Sequence, residues 1–489
     1  MSLRALSSLI GKLPANGLLI AIERPPPPKN RALAIGIAGR RFAGDLTSDS
    51  TRTDGYVLST DIAPTILLRL GVAVPSQMSG QPIRSEGSVD AAAIESRGER
   101  MAAISERRGP VIGLALAIWL GLLGLAVAAT RGLASADAGP GAARAGAAET
   151  RAQAVRFGVK LAGLSAIYLP ALLLLGAAAE ANQGAEQALV TFGAPALGAL
   201  TLGILRGYRA LAVASAVTVL AYAVDVLAGS PFTSLSLLGP NPGLGVRFYG
   251  IGNELEALLA VLVIAGTGAA LTGFASRRGG NGDLFPHSET KSPRRAAIAF
   301  LAAGLLAAAV FSAGRFGADV GAAIVLPFGA AVAAAVAMAR RRRSALLVAA
   351  APLAAIGLLA LADLLSGADA HLTRSVLDAG GFGDLADVAQ RRLQLSAHSF
   401  ARPVVYVFLP LILAAVALAI ARRDRLAAWL RGRSAMRAGL IGAAAATAAG
   451  TLANDSGALL LEIGAAYLAV FTGYVWAESE RPGRSRGID

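Results

Sequence analysis

Two patterns of apolar residues divide this chain near residue 109. Before that point the apolar runs are short. Leu18-Leu19-Ile20-Ala21-Ile22 and Ala32-Leu33-Ala34-Ile35-Gly36-Ile37 are bounded by Gly, Pro and Asn, which reads as two buried strands. Ser59-Thr60-Asp61 offers N-cap oxygens to an apolar stretch with Pro64 in its first turn and Gly71 as its stop, the pattern of a capped helix. Beyond residue 109 the apolar runs lengthen to about 20 residues, enough to cross a bilayer core of about 30 Å. Eleven spans are expected: 110–130, 157–179, 187–206, 210–229, 251–274, 296–313, 317–339, 344–365, 402–421, 437–453 and 457–477. They are saturated with Ala and Gly, which lets helices approach closely in lipid.

The fold class is therefore mainly α: a polytopic transmembrane helical bundle of about 11 helices, preceded by a small incomplete α/β module. The module covers 1–83, a charged linker 84–109, the transmembrane domain 110–477 and a tail 478–489. Composition agrees, with 55% hydrophobic and 16% charged residues, against about 25% charged in soluble chains. That balance excludes a conventional soluble enzyme and a disordered tail. The net charge of +14 does not indicate nucleic-acid binding, because basic residues in such a chain set topology. There is no cysteine, so disulfides and thiolate chemistry are excluded. His287, His371 and His398 lie far apart, and no metal site is expected. With no Walker A or dinucleotide fingerprint, no cofactor is expected either.

Loop charge orients the bundle. Arg131–Arg156, Arg206 with Arg209, Arg277–Arg295, Arg340–Arg343, Arg422–Arg437 and Arg481–Arg486 form the basic set. The alternate loops are poor in Lys and Arg, so the basic set and the C-terminus are placed in the cytoplasm and the N-terminal module outside. Arg97, Arg100, Arg107 and Arg108 conflict with this, since they flank the first span on its outer side.

Charged groups within spans are costly and tend to mark function or a buried pair. Asp225, Glu254, Glu256, Asp319, Asp363 and Glu462 all fall near outer helix ends, which predicts one polar, extracytoplasmic concavity. Its first wall is 239–254, where Gly and Pro forbid regular helix until about Ile251 and deliver Arg247, Tyr249, Asn253 and Glu254. Arg247 suits phosphate or carboxylate, and Glu254 suits a general base; alternatively the two form a structural pair. The second wall holds Arg315 and Asp319, four apart and able to pair on one helical face. The third, the loop 367–401, carries His371 and Arg374 ahead of an amphipathic helix around Leu385–Leu395 that lies on the outer surface. His371 there is either an acid–base group or an exposed loop residue. The fourth is Asn454-Asp455-Ser456, where Asp455 and Ser456 cap the last helix and Glu462 follows two turns later. The catalytic candidates are thus Glu254, His371 and Asp319. The substrate-binding candidates are Arg247, Tyr249, Asn253, Arg315, Arg374 and Asp455.

Two resemblances accompany these residues. Thr60-Asp61-Ile62-Ala63-Pro64-Thr65-Ile66-Leu67, with Leu70-Gly71, Pro75 and Met78-Ser79-Gly80, resembles the C-terminal end of the alkaline phosphatase and sulfatase superfamily. In that family the nucleophile and most metal ligands lie upstream, and residues 1–110 hold no histidine. The resemblance therefore implies a catalytically inactive remnant, or a truncated reading of a longer protein. Asn241-Pro242, Gly245-Val246-Arg247-Phe248-Tyr249-Gly250-Ile251-Gly252-Asn253-Glu254 and Asn454-Asp455-Ser456-Gly457 are similar to motifs in a group of uncharacterised bacterial multi-pass membrane proteins. Some of those carry a phosphatase-superfamily domain in front, an architecture without an assigned activity.

The first functional reading is an envelope protein acting on a lipid-linked or phosphorylated substrate at the outer membrane surface. The second is a proton-coupled transporter or lipid flippase, and the third a membrane scaffold. The expected partners are the lipid bilayer, that substrate and a separate phosphatase-like chain, with no nucleic acid. Depth separates the first two readings: a transporter needs polar groups near the middle of at least two helices.

Overall fold

The computed structural model describes residues 3–24, 32–75, 78, 80–136, 142–244, 247–275, 293–338, 350, 352, 354 and 382–479. His371, Arg374, Asp363 and most of the span expected at 344–365 lie outside these residues.

The chain opens with α1 (Leu3–Gly11) and an antiparallel pair, β1 (Leu18–Ile22) and β2 (Ile35–Gly39), in the register Ile20↔Ile37. Both strands fall where the apolar runs place them, but they are half-buried; Ile22 is 49% exposed. A lone two-stranded ribbon cannot cover both of its own faces. A second small antiparallel pair joins β3 (Asp45–Thr47) to β4 (Arg84–Glu86), and α2 (Ile62–Arg69) lies between them in the chain.

Asp61 does not cap α2 with its side chain. Its buried carboxylate accepts from Ser48 Oγ (2.7 Å), Ser50 Oγ (2.6 Å), Leu58 N (2.9 Å) and Gln81 N (2.9 Å), joining three loops. Thr65 extends this hub, donating to Asp61 O and accepting from Ile83 N. The conspicuous Asp-x-x-Pro-Thr stretch is thus the organising point of the module.

The charged linker is largely helical. From residue 91 it is the first half of α3 (Ala91–Ala136), a single helix that runs through Pro110 into the first apolar stretch. Ala, Glu, Met and Arg are strong helix formers, and Met101 and Ile104, both buried, give this half an apolar stripe.

The bundle follows as α4 (Ala142–Ala178), α5 (Gln183–Ala188), α6 (Ala194–Ile204), α7 (Tyr208–Leu227), α8 (Asn253–Ala275), α9 (Pro293–Ser312) and α10 (Val320–Met338). Beyond residue 381 come α11 (Phe382–Ser399), α12 (Val405–Ala421), α13 (Arg423–Trp429), α14 (Ser434–Ala453) and α15 (Gly457–Glu478). A π-helical turn, Leu189–Gly193, joins α5 to α6. Among the described residues seven helices are long and apolar enough to cross a membrane, or eight if the bent pair α12–α13 counts as one. The chain is a membrane-embedded helical protein with two small sheets among the described residues. α14, expected as a span, is not among the seven; Gly, Thr and Arg437 dilute its apolar content.

α8 forms the axis. Every residue from Leu255 to Ile264 is at most 7% exposed, as a helix apolar on all faces requires. Small residues set the spacing around it: a Cβ at Gly442 of α14 would stand 2.5 Å from Gly329 O of α10. Pro170 within α4 has no N–H for the carbonyl of Ala166, and Tyr467 of α15 donates its hydroxyl to that oxygen (3.1 Å).

The opposite ends of the bundle differ in charge pattern. At one end Arg156, Lys160 and Arg433 gather around the C-terminus of α15, where Lys160 pairs with Glu478. The other, the site end, holds the N-termini of α8, α10 and α15 and receives the first part of α3.

Candidate functional site

Three segments distant in sequence meet at the site end: the loop 230–252 before α8, the turn 313–319 before α10 and the turn 454–456 before α15. Gly250 makes the first junction possible. Its φ is +77°, its N–H donates to Ser230 Oγ (2.9 Å), and a Cβ on it would lie 2.1 Å from Gly317 O. The next residue, Ile251, donates to that same carbonyl (3.0 Å). Gly250→Ala adds left-handed strain to a clash with fixed backbone and is expected to destabilise by about 2–4 kcal/mol. Gly252→Ala meets only Glu254 Oε2 and Pro240 at 3.2 Å or more and serves as the control in thermal unfolding. Equal melting of the two variants would refute the junction.

Asn253 and Glu256 are three apart on α8 and share a face. Asn454 bridges them: its Nδ2 donates to Asn253 Oδ1 (3.2 Å) and Glu256 Oε2 (2.7 Å), and its Oδ1 accepts from Ser456 N (3.0 Å). Asn253 in turn donates to Asp455 Oδ1 (3.3 Å). The turn is therefore closed by Asn454, not by caps from Asp455 or Ser456, and α15 has no side-chain cap. Glu256 is buried, and its Oε1 has no hydrogen-bond partner among the described residues. A Cβ at Gly321 would come within 2.5 Å of both carboxylate oxygens, so the first turn of α10 lies against Glu256.

Asp319 opens α10. Its Oδ1 accepts from the N–H groups of Gly321 (2.9 Å) and Ala322 (3.3 Å), and its Oδ2 faces Arg247 Nη2 at 3.6 Å. Arg247 also donates to Ala318 O. Asp319 thus pairs with Arg247 and not with Arg315. A four-residue pair needs continuous helix, whereas Ala318 has φ +52° and α10 begins only at Val320. Arg315 is exposed over the Phe316 ring (5.9 Å).

Glu254 pairs not with Arg247 but with Arg108 of α3 (3.2 Å), which also donates to Gly239 O (2.7 Å). Two further arginines of α3 behave alike. Arg107 meets the buried Glu186 (3.3 Å) and Ala181 O (2.6 Å), and Arg100 meets Glu180 (2.8 Å) and Ala177 O (2.7 Å). Burial lowers the Arg100 guanidinium from its ordinary value, opposed by Glu180. Three of the four arginines that conflicted with the loop-charge rule, Arg100, Arg107 and Arg108, therefore have acidic partners in place.

The N-terminal module supplies a further wall. Arg52, at φ +52°, donates to Arg315 O (2.5 Å) and Gly314 O (3.0 Å), and its guanidinium stacks 4.1 Å from the Tyr249 ring centroid. Tyr56 packs on Phe248 with ring centroids 5.7 Å apart. Module and site loop share one small core with Met101, Leu235 and Leu237.

Of the expected residues, the fold gathers Arg247, Tyr249, Asn253, Glu254, Arg315, Asp319 and Asp455 at one end; His371 and Arg374 lie outside the described residues. The amphipathic stretch is helical, as α11, and is tied to the site end by Ser396 Oγ to Thr451 O (2.6 Å) and by Ala458 N to Ser399 Oγ (2.9 Å). Asp225 is structural, fully engaged by Phe232 N, Thr233 N and Thr233 Oγ1. Glu462 Oε1 is buried without a hydrogen-bond partner among the described residues. Four participants were not singled out as site residues from the sequence: Glu256, Asn454, Arg108 and Arg52. The i,i+3 spacing of Asn253 and Glu256 was the available signal for the first. Arg52 and Arg108 carry no local signal, since their partners lie about 260 and 146 residues away.

Among the described residues no three Asp, Glu or His groups converge as metal ligands. What converges instead is a set of guanidinium groups and carboxylates, two of the latter buried with an oxygen free of hydrogen bonds, suited to holding an anion and moving a proton. Compared with protein-family models, curated proteins and solved structures, the chain matches none.

Proposed function

We propose that this protein acts on a lipid-linked, phosphorylated substrate at the extracytoplasmic surface of a bacterial plasma membrane, as part of cell-envelope chemistry. One observation carries the reading: polar residues of three remote segments and of the N-terminal module converge at one end of an otherwise apolar bundle. A structural anchor has no need of buried carboxylates with unused oxygens, which are costly. Arg315 at the rim holds phosphate oxygen, Arg247 and Asp319 fix the loop, and Glu256 accepts a proton. The resemblances support this reading, in that a phosphatase-type segment stands in front of a multi-pass bundle. The orientation puts the basic end and the C-terminus in the cytoplasm, the module outside, and completes about eleven spans.

The test is binding of a polyprenyl phosphate, in mixed micelles, to the purified chain. Arg315→Gln is expected to weaken it about tenfold, the worth of one charge-assisted contact, while Arg84→Gln in the module leaves it unchanged. Equal affinity for the Arg315 and wild-type proteins would defeat the proposal. The orientation is checked by fusions of a periplasm-active reporter, expected to be active near Asp384 and silent near Arg423.

A proton-coupled transporter or flippase is the second reading, favoured by Glu256 Oε1 and Asp319 Oδ2. Both sit within about a turn of a helix start, not at mid-membrane, which favours surface chemistry.

A further inference from the structure

The basic end of the bundle carries a second concavity, remote from the residues discussed above. Among the described residues α12 packs lightly, mainly against α15. Of its residues only Val405 is buried, and Leu411, Leu413, Val416, Leu418 and Ile420 each expose more than half of their surface. At Arg422 the chain bends by 75° into α13. If α12 crosses the bilayer, that bend lays α13 close to the membrane plane, with the half-buried Trp429 at the level where indole rings concentrate.

Between α13 and the start of α14 lies a cavity of about 490 Å³, lined in part by Asp424, Leu430, Arg431, Ser434 and Arg437. Six arginines occur between residues 422 and 437, against a single acid, Asp424. Arg433 is used internally: it donates to Trp429 O (2.6 Å) and Glu478 O (3.2 Å) and covers the Tyr208 ring at 5.3 Å. That contact fixes the elbow to the bundle. The other five, Arg422, Arg423, Arg425, Arg431 and Arg437, are exposed, and none pairs with a carboxylate among the described residues.

We propose that this elbow binds the phosphate-bearing headgroup of an anionic membrane lipid, with the acyl chains lying along the exposed apolar face of α12. Each half of the surface asks for one half of an amphiphile. Uncompensated guanidinium groups fit phosphodiester oxygens by paired N–H donors. The adjoining Leu, Val and Ile side chains are exposed among the described residues and fit hydrocarbon. A soluble anion satisfies the first and leaves the second bare. A rigid elbow, fixed by Arg433, holds the two halves in register.

Full-length protein purified in a mild detergent is titrated with phosphatidylglycerol, phosphatidylcholine and inorganic phosphate, and binding is read by native mass spectrometry and thermal shift. Phosphatidylglycerol is expected to bind and stabilise, and the other two not. The double variant Arg431→Gln/Arg437→Gln is expected to bind it about 25-fold more weakly, each basic contact near the surface contributing about fivefold. Asp424→Asn removes the one opposing charge and is expected to tighten binding about fivefold, a gain that mere structural damage cannot produce. Three results overturn the proposal: equal binding of phosphatidylcholine, equal stabilisation by inorganic phosphate, or affinities unmoved by either variant.

Discussion

Asp61→Ala is expected to unfold the N-terminal module while the helical bundle stays folded. The carboxylate is fully buried and takes four hydrogen bonds from three loops. Two donors are serine hydroxyls, which can turn to other acceptors. The other two are backbone N–H groups of Leu58 and Gln81, which cannot, and each buried donor left without an acceptor costs about 1–3 kcal/mol. With the lost charge-assisted bonds the total is about 3–5 kcal/mol, a large share of what a module of this size has to lose. Little else compensates. The exposed Arg84–Asp49 pair contributes at most about 1 kcal/mol, and the two sheets have two strands each. Limited proteolysis should cut the variant ahead of α3 and leave a protected core. A digestion pattern identical to wild type would mean that the loops are held by something other than Asp61.

Asp319→Ala is the second large effect, and it falls on the site. The substitution removes the acceptor for the first N–H groups of α10 and the only carboxylate paired with Arg247 among the described residues. Loss of such an acceptor costs about 1 kcal/mol. Stranding a buried charge costs about 3–5 kcal/mol, less here because the Arg247 side chain is 36% exposed. The expected destabilisation is about 2–4 kcal/mol, read by thermal unfolding in detergent. Asp319→Asn keeps an acceptor for the helix and should lose about half as much. Pairing also decides a sharper comparison. The exchange Arg247→Glu with Glu254→Arg would preserve a direct Arg247–Glu254 pair, but the fold sets these residues beside Asp319 and Arg108 respectively. The exchange therefore opposes like charges at both places and should be worse than either single substitution. An innocuous exchange would contradict the geometry.

Much of this architecture was legible in the sequence because lipid removes choices. A run of some 20 apolar residues must satisfy its backbone internally, so seven of the expected spans reappear, within a few residues of their expected limits, as helices long and apolar enough to cross a membrane. The strands at Leu18–Ile22 and Ile35–Gly39 were legible from short apolar runs between turn formers. The clustering of charged residues at alternate helix ends, and the Gly-Pro loop leading to Asn253, were legible for the same reason: exceptions stand out against an apolar background. The helical form of residues 91–109 is not legible in the same way, because high charge density masks the apolar spacing. Nothing local announces that Arg100, Arg107 and Arg108 have partners on α4, α5, α8 and the loop ahead of α8.

The sequence by itself determined the class of the protein, the positions of its apolar helices and the kinds of side chain available at their ends. Those properties follow from local periodicity and from the cost of burying charge. Only the tertiary structure decided which arginine faces which carboxylate, that Glu256 and not Glu254 meets Asn454, and that Arg52 of the module reaches Tyr249. Ion pairs are set by distances of 3–4 Å between side chains whose backbones lie on separate helices. A shift of one helical residue turns a side chain by about 100°, so spacing along the chain can nominate such pairs, but only packing selects among them.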